Sequence, residues 1–321
     1  MKNKPIIIVN GEPNSVFIEI LLKTLKYKKF KSPIILISSL KLLKKNFKKI
    51  NFKKKISIID MKDIKNKKLK NNSFYLINVE LNTNHNFNKI SSKSRLFIER
   101  SFNIGLNLID NNFSYKFING PISKKNFLNK KYPGITEYIS KKIKTKKFAM
   151  LIYNKELSVC PLTTHLPLKK VSQFISRKNI FEKVNLIKSF FNKYRSINPR
   201  IAVLGLNPHC ESTDAFNEDE KILKPAVKSL SKLGYKISGP HPADTIFLRN
   251  NRKKYDVVLG MYHDQVLTPI KTLYEFDAIN ITLGLPFLRI SPDHGPNEKM
   301  LGKNLSNSLS LFRAMEFLDI N

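Results

Sequence analysis

Arg200-Ile201-Ala202-Val203-Leu204-Gly205-Leu206-Asn207-Pro208-His209 opens as an apolar run of strand length and breaks, through a glycine, into a polar turn carrying proline and histidine. A strand buried on both faces of a parallel sheet reads as such an unalternating run, and open α/β sheets place their ligands in the loops just beyond the strands' carboxyl ends. The same pattern recurs along the chain. Residues 5–9, 33–37, 74–79, 115–118, 148–153, 255–259 and 278–283 are further short apolar runs. Amphipathic stretches at 16–27, 94–110, 181–194, 218–233 and 305–318 read as the helices between them. This alternation predicts an α/β protein with largely parallel sheets.

Polar clusters follow several of these strands. Gly11-Glu12-Pro13 follows the first, Gly120-Pro121 a middle one, and Tyr262-His263-Asp264-Gln265 the run at 255–259. Of the chain's 6 histidines, four sit in such clusters: His165 in Thr163-Thr164-His165-Leu166-Pro167, then His209, His263 and His294. A lone histidine is more often a structural residue than a ligand. Three near strand ends, His165, His209 and His263, suit one divalent ion such as zinc, and a three-imidazole set leaves a coordination position open for substrate. Lys271, Asn280 and Arg289 follow the third histidine closely and offer a point charge, an amide and a forked donor, the groups a phosphate accepts. A solvated basic face is the plainer reading for a lysine here. Arg289 stands apart, because arginine is the rarer base and it follows the apolar run at 283–287.

The 321 residues suit about two domains. A formal charge of +34, from 58 Lys+Arg against 24 Asp+Glu, invites a nucleic-acid reading. The lysines, densest at 41–55 and 62–70, instead mingle with asparagine and isoleucine throughout, as an AT-rich coding sequence would produce. No nucleic-acid motif accompanies them, and the expectation is no nucleic-acid partner. A basic surface still steers anionic substrates at low salt. Residues 41–72 read as a solvated, variable stretch. Two cysteines, Cys160 and Cys210, fit neither a disulfide framework nor a four-thiolate zinc site, which points to a reducing cytoplasm. The amino-terminal apolar run is too short for a signal peptide, and no stretch approaches the roughly 20 apolar residues that span a bilayer.

The segments Thr163-Thr164-His165-Leu166-Pro167-Leu168, Gly205-Leu206-Asn207-Pro208-His209, Gly239-Pro240-His241-Pro242-Ala243-Asp244-Thr245 and Met261-Tyr262-His263-Asp264-Gln265 resemble the 4-hydroxythreonine-4-phosphate dehydrogenase family of vitamin B6 biosynthesis. So does Thr282-Leu283-Gly284-Leu285-Pro286 with Arg289, Ser291, Asp293, His294 and Gly295; the resemblance runs from Gly11 to about Gly302 in the family's order. It implies a two-domain α/β/α fold like that of isocitrate and isopropylmalate dehydrogenases. Residues 1–125 with 291–321 would form the terminal, cofactor-side domain, and 126–290 a central domain carrying most metal and substrate residues and the dimer contacts. It further implies a homodimer with a shared active site, in which His165 and His209 of one subunit and His263 of the other hold one zinc, magnesium or cobalt ion. Thr136, Lys271, Asn280 and Arg289 would bind the phosphorylated substrate, and Asp293-His294-Gly295 would meet the adenosine end of NAD, with NADP not separated from it. Asp244 and Asp264 are proton-relay or ligand-orienting candidates, with structural hydrogen bonding equally open.

The chain departs from the family at several motif positions. Asn14-Ser15-Val16-Phe17 stands where the first loop of the family has two glycines, Ile135 where a substrate-binding histidine is usual, and Cys210-Glu211-Ser212-Thr213-Asp214 where a glycine-rich loop follows Asn-Pro-His. Pro296-Asn297 replaces Thr-Ala after Asp-His-Gly and removes a hydroxyl and a backbone donor. The leading expectation is NAD-linked oxidation of 4-phosphohydroxy-L-threonine. The alternatives are a dehydrogenase of threonate or erythronate 4-phosphate, or a metal-binding paralogue impaired in catalysis.

Overall fold

The computed structural model describes residues 3–64, 66–81, 90–128 and 131–321. These form the strands β1 Ile6–Val9, β2 Ile34–Ser38, β3 Ser57–Ile58, β4 Phe74–Asn78, β5 Lys116–Asn119, β6 Ala149–Tyr153, β7 Ser158–Pro161, β8 Ile201–Leu204, β9 Ile237–His241, β10 Val257–Gly260, β11 Ile279–Leu283 and β12 Leu288–Pro292. The chain divides into two compact units, Met1–Ile139 with Pro286–Asn321, and Ser140–Leu285. The sequence reading sets these breaks at 126 and 290.

In the first unit the strands pair in the order β3-β4-β2-β1-β5-β12, all parallel. Ile6, Ile7, Ile8 and Val9 are wholly buried. β-Branched side chains suit a pleated surface packed on both faces, so this run takes an interior position between β2 and β5. Helices Phe17–Tyr27, Leu40–Ile50, Arg95–Asp110 and Leu309–Ile320 belong to the same unit. The stretch at 41–72, expected to be solvated and variable, is structural in part. Leu42, Leu43 and Ile50 are buried from its helix, as are Phe52, Ile59 and Ile64 beyond it, and β3 pairs with β4. The lysines between those apolar positions mask a helical stripe.

The loops after β1 and β5 pass so closely that both need glycine. A Cβ at Gly120 would lie 2.1 Å from the Asn10 carbonyl oxygen, and one at Gly11, whose φ is +74°, would lie 2.4 Å from that of Pro121. Gly120→Ala is therefore expected to force apart two backbones and to destabilise the unit by about 3 kcal/mol or more, read as a fall in the denaturant midpoint. An unchanged midpoint would show that the loops can separate freely.

The second unit pairs its strands in the order β11-β6-β7-β10-β8-β9. β7, β10, β8 and β9 are parallel; β6 runs against both β11 and β7, closing a hairpin in which Asn154 Oδ1 accepts from the Glu156 N–H at 2.8 Å. Ile152, Val159, Ala202, Leu204, Val258, Val266 and Ile270 form its core. The helix Arg177–Arg195 starts where Ser176 accepts from the Asn179 N–H at 3.2 Å, a side-chain N-cap. β9 carries Gly239 and Pro240, and proline, which lacks a ladder donor, is tolerated there because the strand lies at the end of the order. No helix among the described residues is long and apolar enough to cross a membrane.

Candidate active site

Because β7, β10 and β8 are parallel neighbours, their following loops leave from one edge, and these loops carry His165, His263 and His209. Hydrogen bonds tie that edge together. Leu162 N donates to Gly260 O at 2.7 Å, and Thr163 donates to Met261 O through its backbone N–H at 3.2 Å and through Oγ1 at 2.8 Å. Gln265 Oε1 accepts from Met261 N at 2.7 Å while its Nε2 donates to Gly205 O at 2.7 Å, and Gly205 N donates to His241 O at 3.0 Å.

The His165 and His263 rings lie with centroids 6.1 Å apart in one chain. With a metal–nitrogen bond of about 2 Å and about 1 Å from nitrogen to ring centre, two imidazoles on one tetrahedral ion have centroids about 5 Å apart, and about 6 Å is reached only when they stand opposite each other. The two rings are therefore neighbours, set wider apart than a tetrahedral ion would hold them. Asp264 Oδ1 lies 2.6 Å from His263 Nδ1, an arrangement that fixes this nitrogen as the donor and leaves Nε2 for a ligand. Among the described residues no three His, Cys, Asp or Glu side chains gather around one point, so His209 does not join the pair within the single chain. The sequence reading pairs His165 with His209 and takes His263 from a second subunit; within one chain His165 and His263 are also neighbours, because β10 lies directly beside β7.

His209 and Cys210 are consecutive left-handed residues, with φ of +53° and +63°. Such backbone conformations in non-glycine residues cost on the order of 1 kcal/mol each and persist only where surrounding bonds enforce them. Cys210 N donates to Asn207 O and Glu211 N to Pro208 O, each at 3.0 Å, and wholly buried Asp219 anchors the segment before them: Oδ1 accepts from Leu206 N at 2.8 Å, and Oδ2 accepts from Asn207 N at 3.1 Å and from Asn207 Nδ2 at 3.0 Å. The Cys210 thiol is free and buried, its pKa raised first by burial, and it fills the space beside Gly205, where a Cβ would lie 2.6 Å from Sγ. Asp244 is exposed, in the first turn of the short helix Ala243–Ile246.

In the first unit, Arg289 on β12 is 0% exposed. Its Nε donates to Asn119 Oδ1 at 2.8 Å and Nη1 to Thr136 Oγ1 at 2.9 Å. Burial holds its pKa down to about 10, with Glu137 acting in the opposite direction. Asn119, at the end of β5, is a polar partner the sequence reading missed, although it immediately precedes the Gly120-Pro121 signal. Thr136 stands in the first turn of the helix Ile135–Lys142, next to Ile135. In the second unit, Asn280 lies on β11 with its Oδ1 buried and without a hydrogen-bond partner among the described residues. Lys271, partly buried, stands in the last turn of the helix His263–Tyr274.

The first loop is accommodated without its usual glycines. Ser15 Oγ donates to Glu12 O at 2.7 Å and accepts from Phe17 N at 3.4 Å, a hydroxyl-stabilised turn. Phe17 is fully buried against Gly120. Glu12 is 1% exposed; its Oε1 accepts from Ser94 Oγ at 2.9 Å and Asn14 N at 3.3 Å, and burial raises its pKa. The Pro296 carbonyl accepts from Val16 N at 3.1 Å, so the residue that lost a donor ties the Asp293-His294-Gly295 turn to the first loop. Asp293 N donates to Ser310 Oγ at 2.9 Å, and His294 Nδ1 lies 2.8 Å from Gly295 O. A Cβ at Gly295 would meet no atom within 4 Å, so packing inside the chain does not demand that glycine.

A family model described as pyridoxal phosphate biosynthetic protein PdxA matches residues 29–318. The chain is 36% identical over 320 residues, 96% of its length and 95% of the relative's, to a 4-hydroxythreonine-4-phosphate dehydrogenase of Sulfurihydrogenibium sp. (strain YO3AOP1). It is 38% identical over 165 residues, 51% of its length and 50% of the relative's, to a D-threonate 4-phosphate dehydrogenase of Salmonella typhimurium. Among solved structures, a 4-hydroxythreonine-4-phosphate dehydrogenase from Klebsiella pneumoniae superposes with a TM-score of 0.82 at 26% identity, covering 98% of this chain and 97% of that one.

Proposed function

The chain belongs to the PdxA family of pyridoxal phosphate biosynthetic proteins, and from that premise we propose that it oxidises 4-phosphohydroxy-L-threonine with NAD in a metal-dependent reaction. The product is a 3-keto acid that loses carbon dioxide to give 3-amino-2-oxopropyl phosphate. The observation that supports the metal-dependent reading is the pairing of the His165 and His263 rings beyond adjacent strands, with Asp264 holding Nδ1 of His263 and leaving its Nε2 for a ligand.

His165, His209 and His263 would hold one zinc, magnesium or cobalt ion, with Asp264 fixing the His263 ring. When bound, a divalent ion supplies the electrostatic stabilisation that eases loss of the substrate hydroxyl proton, and the nicotinamide cofactor accepts the hydride. Lys271, Asn280 and Thr136 would bind and orient the phosphorylated substrate. Arg289 would hold the Thr136 hydroxyl in place and lend its positive charge to the phosphate. Asp293, His294 and Gly295 would meet the adenosine end of NAD or NADP. Asp244 is a candidate proton acceptor at the surface. A homodimer would complete the three-imidazole set, with His165 and His209 from one subunit and His263 from the other. The free thiols of Cys160 and Cys210 suit a reducing cytoplasm.

D-Threonate 4-phosphate is a second reading, favoured by the similarity to the Salmonella typhimurium relative and kept open by Ile135, an apolar residue in the segment proposed to bind substrate. Purified protein is expected to form NADH from 4-phosphohydroxy-L-threonine, NAD and zinc, magnesium or cobalt. Faster turnover of D-threonate 4-phosphate would transfer the assignment to the second reading, and no NADH from either substrate would defeat both.

A further inference from the structure

The loops carrying His209 and His263 are held by two side chains with no direct place in the proposed chemistry. Asp219 is wholly buried, yet both of its oxygens are spent on one short segment, accepting from Leu206 N, Asn207 N and Asn207 Nδ2. That segment leads directly into the left-handed pair His209 and Cys210. Gln265 links the neighbouring loop to the same segment, accepting from Met261 N, two residues before His263, and donating to Gly205 O, four residues before His209.

We propose that Asp219 and Gln265 are positioning residues for the metal, setting the direction in which His209 and His263 present their imidazoles. This rests on the three-histidine reading above. A carboxylate is required at 219 because every group it meets is a donor. An asparagine there has the same shape, but whichever way its amide turns, an NH2 faces a backbone N–H and one donor loses its acceptor. At 265 the requirement is the reverse: one acceptor and one donor, which only the amide combines.

The test is a titration of the full-length protein with cobalt(II), read by its d–d absorption and by calorimetry, beside a thermal melt. Asp219→Asn is expected to fold and to melt a few degrees below the parent, because one buried N–H loses its acceptor, while binding cobalt about 10- to 100-fold more weakly and with an altered spectrum. Gln265→Glu, which cannot donate to Gly205 O, should do the same. A folded D219N protein with the parent's affinity and spectrum overturns the proposal. If D219N does not fold, Q265E decides: weakened binding supports the proposal and parental binding overturns it. Absence of cobalt binding by the parent protein instead defeats the three-histidine reading, and this inference falls with it.

Discussion

His263→Ala is expected to lower kcat by about three orders of magnitude, because losing one imidazole forfeits several kcal/mol of charge stabilisation at about 1.4 kcal/mol per tenfold in rate. His263 is partly exposed, begins a helix, and makes its one described side-chain bond to the exposed neighbour Asp264. The fold therefore has little to lose, and circular dichroism and the thermal midpoint should stay close to the parent values. His165→Ala should act alike, since its ring is exposed and faces that of His263. The comparison is made on NADH formation at saturating substrate, before and after treatment with a chelator. Parental turnover in His263→Ala, or turnover indifferent to chelation, would remove the metal from the mechanism.

Arg289→Met separates function from stability in a different way. Burying a guanidinium is costly, as its lowered pKa reflects, and an apolar side chain of similar length escapes that cost. Asn119 Oδ1 loses its donor, a penalty of about 1–3 kcal/mol that the relief of burial offsets in part. Thr136 loses the bond that fixes its hydroxyl, and the phosphate loses a positive charge. Charge-assisted bonds of this kind contribute about 1.5–3 kcal/mol, so kcat/KM should fall about a hundredfold, mostly through KM, while the melting temperature moves by only a few degrees. Arg289→Lys keeps the charge without the fork and should fall between the two. Parental KM in Arg289→Met would exclude Arg289 from substrate recognition.

The fold was legible wherever burial on both faces wrote an uninterrupted apolar run, as at β1 and β8. It was illegible where the strand was short or carried other duties: β9 reads Ile-Ser-Gly-Pro-His, and its apolar content is too thin to register. The histidine loops stood out because polar clusters after apolar runs have few other causes. Their order along the sheet edge did not, since β10 lies between β7 and β8, an order set by three-dimensional packing rather than by spacing along the chain. Asp219 was hidden for a related reason. In Asn217-Glu218-Asp219-Glu220 it looks like one more surface acid, and only burial distinguishes it.

The second unit is one unbroken stretch of chain, whereas the first unit needs β12, from near the far end, to complete its sheet beside β5. As the polypeptide leaves the ribosome, the later-made segment 140–285 has all its strands in hand while the earlier-made one still waits for a partner. Maturation would then run opposite to the direction of translation, with the edge of β5 uncovered for that interval.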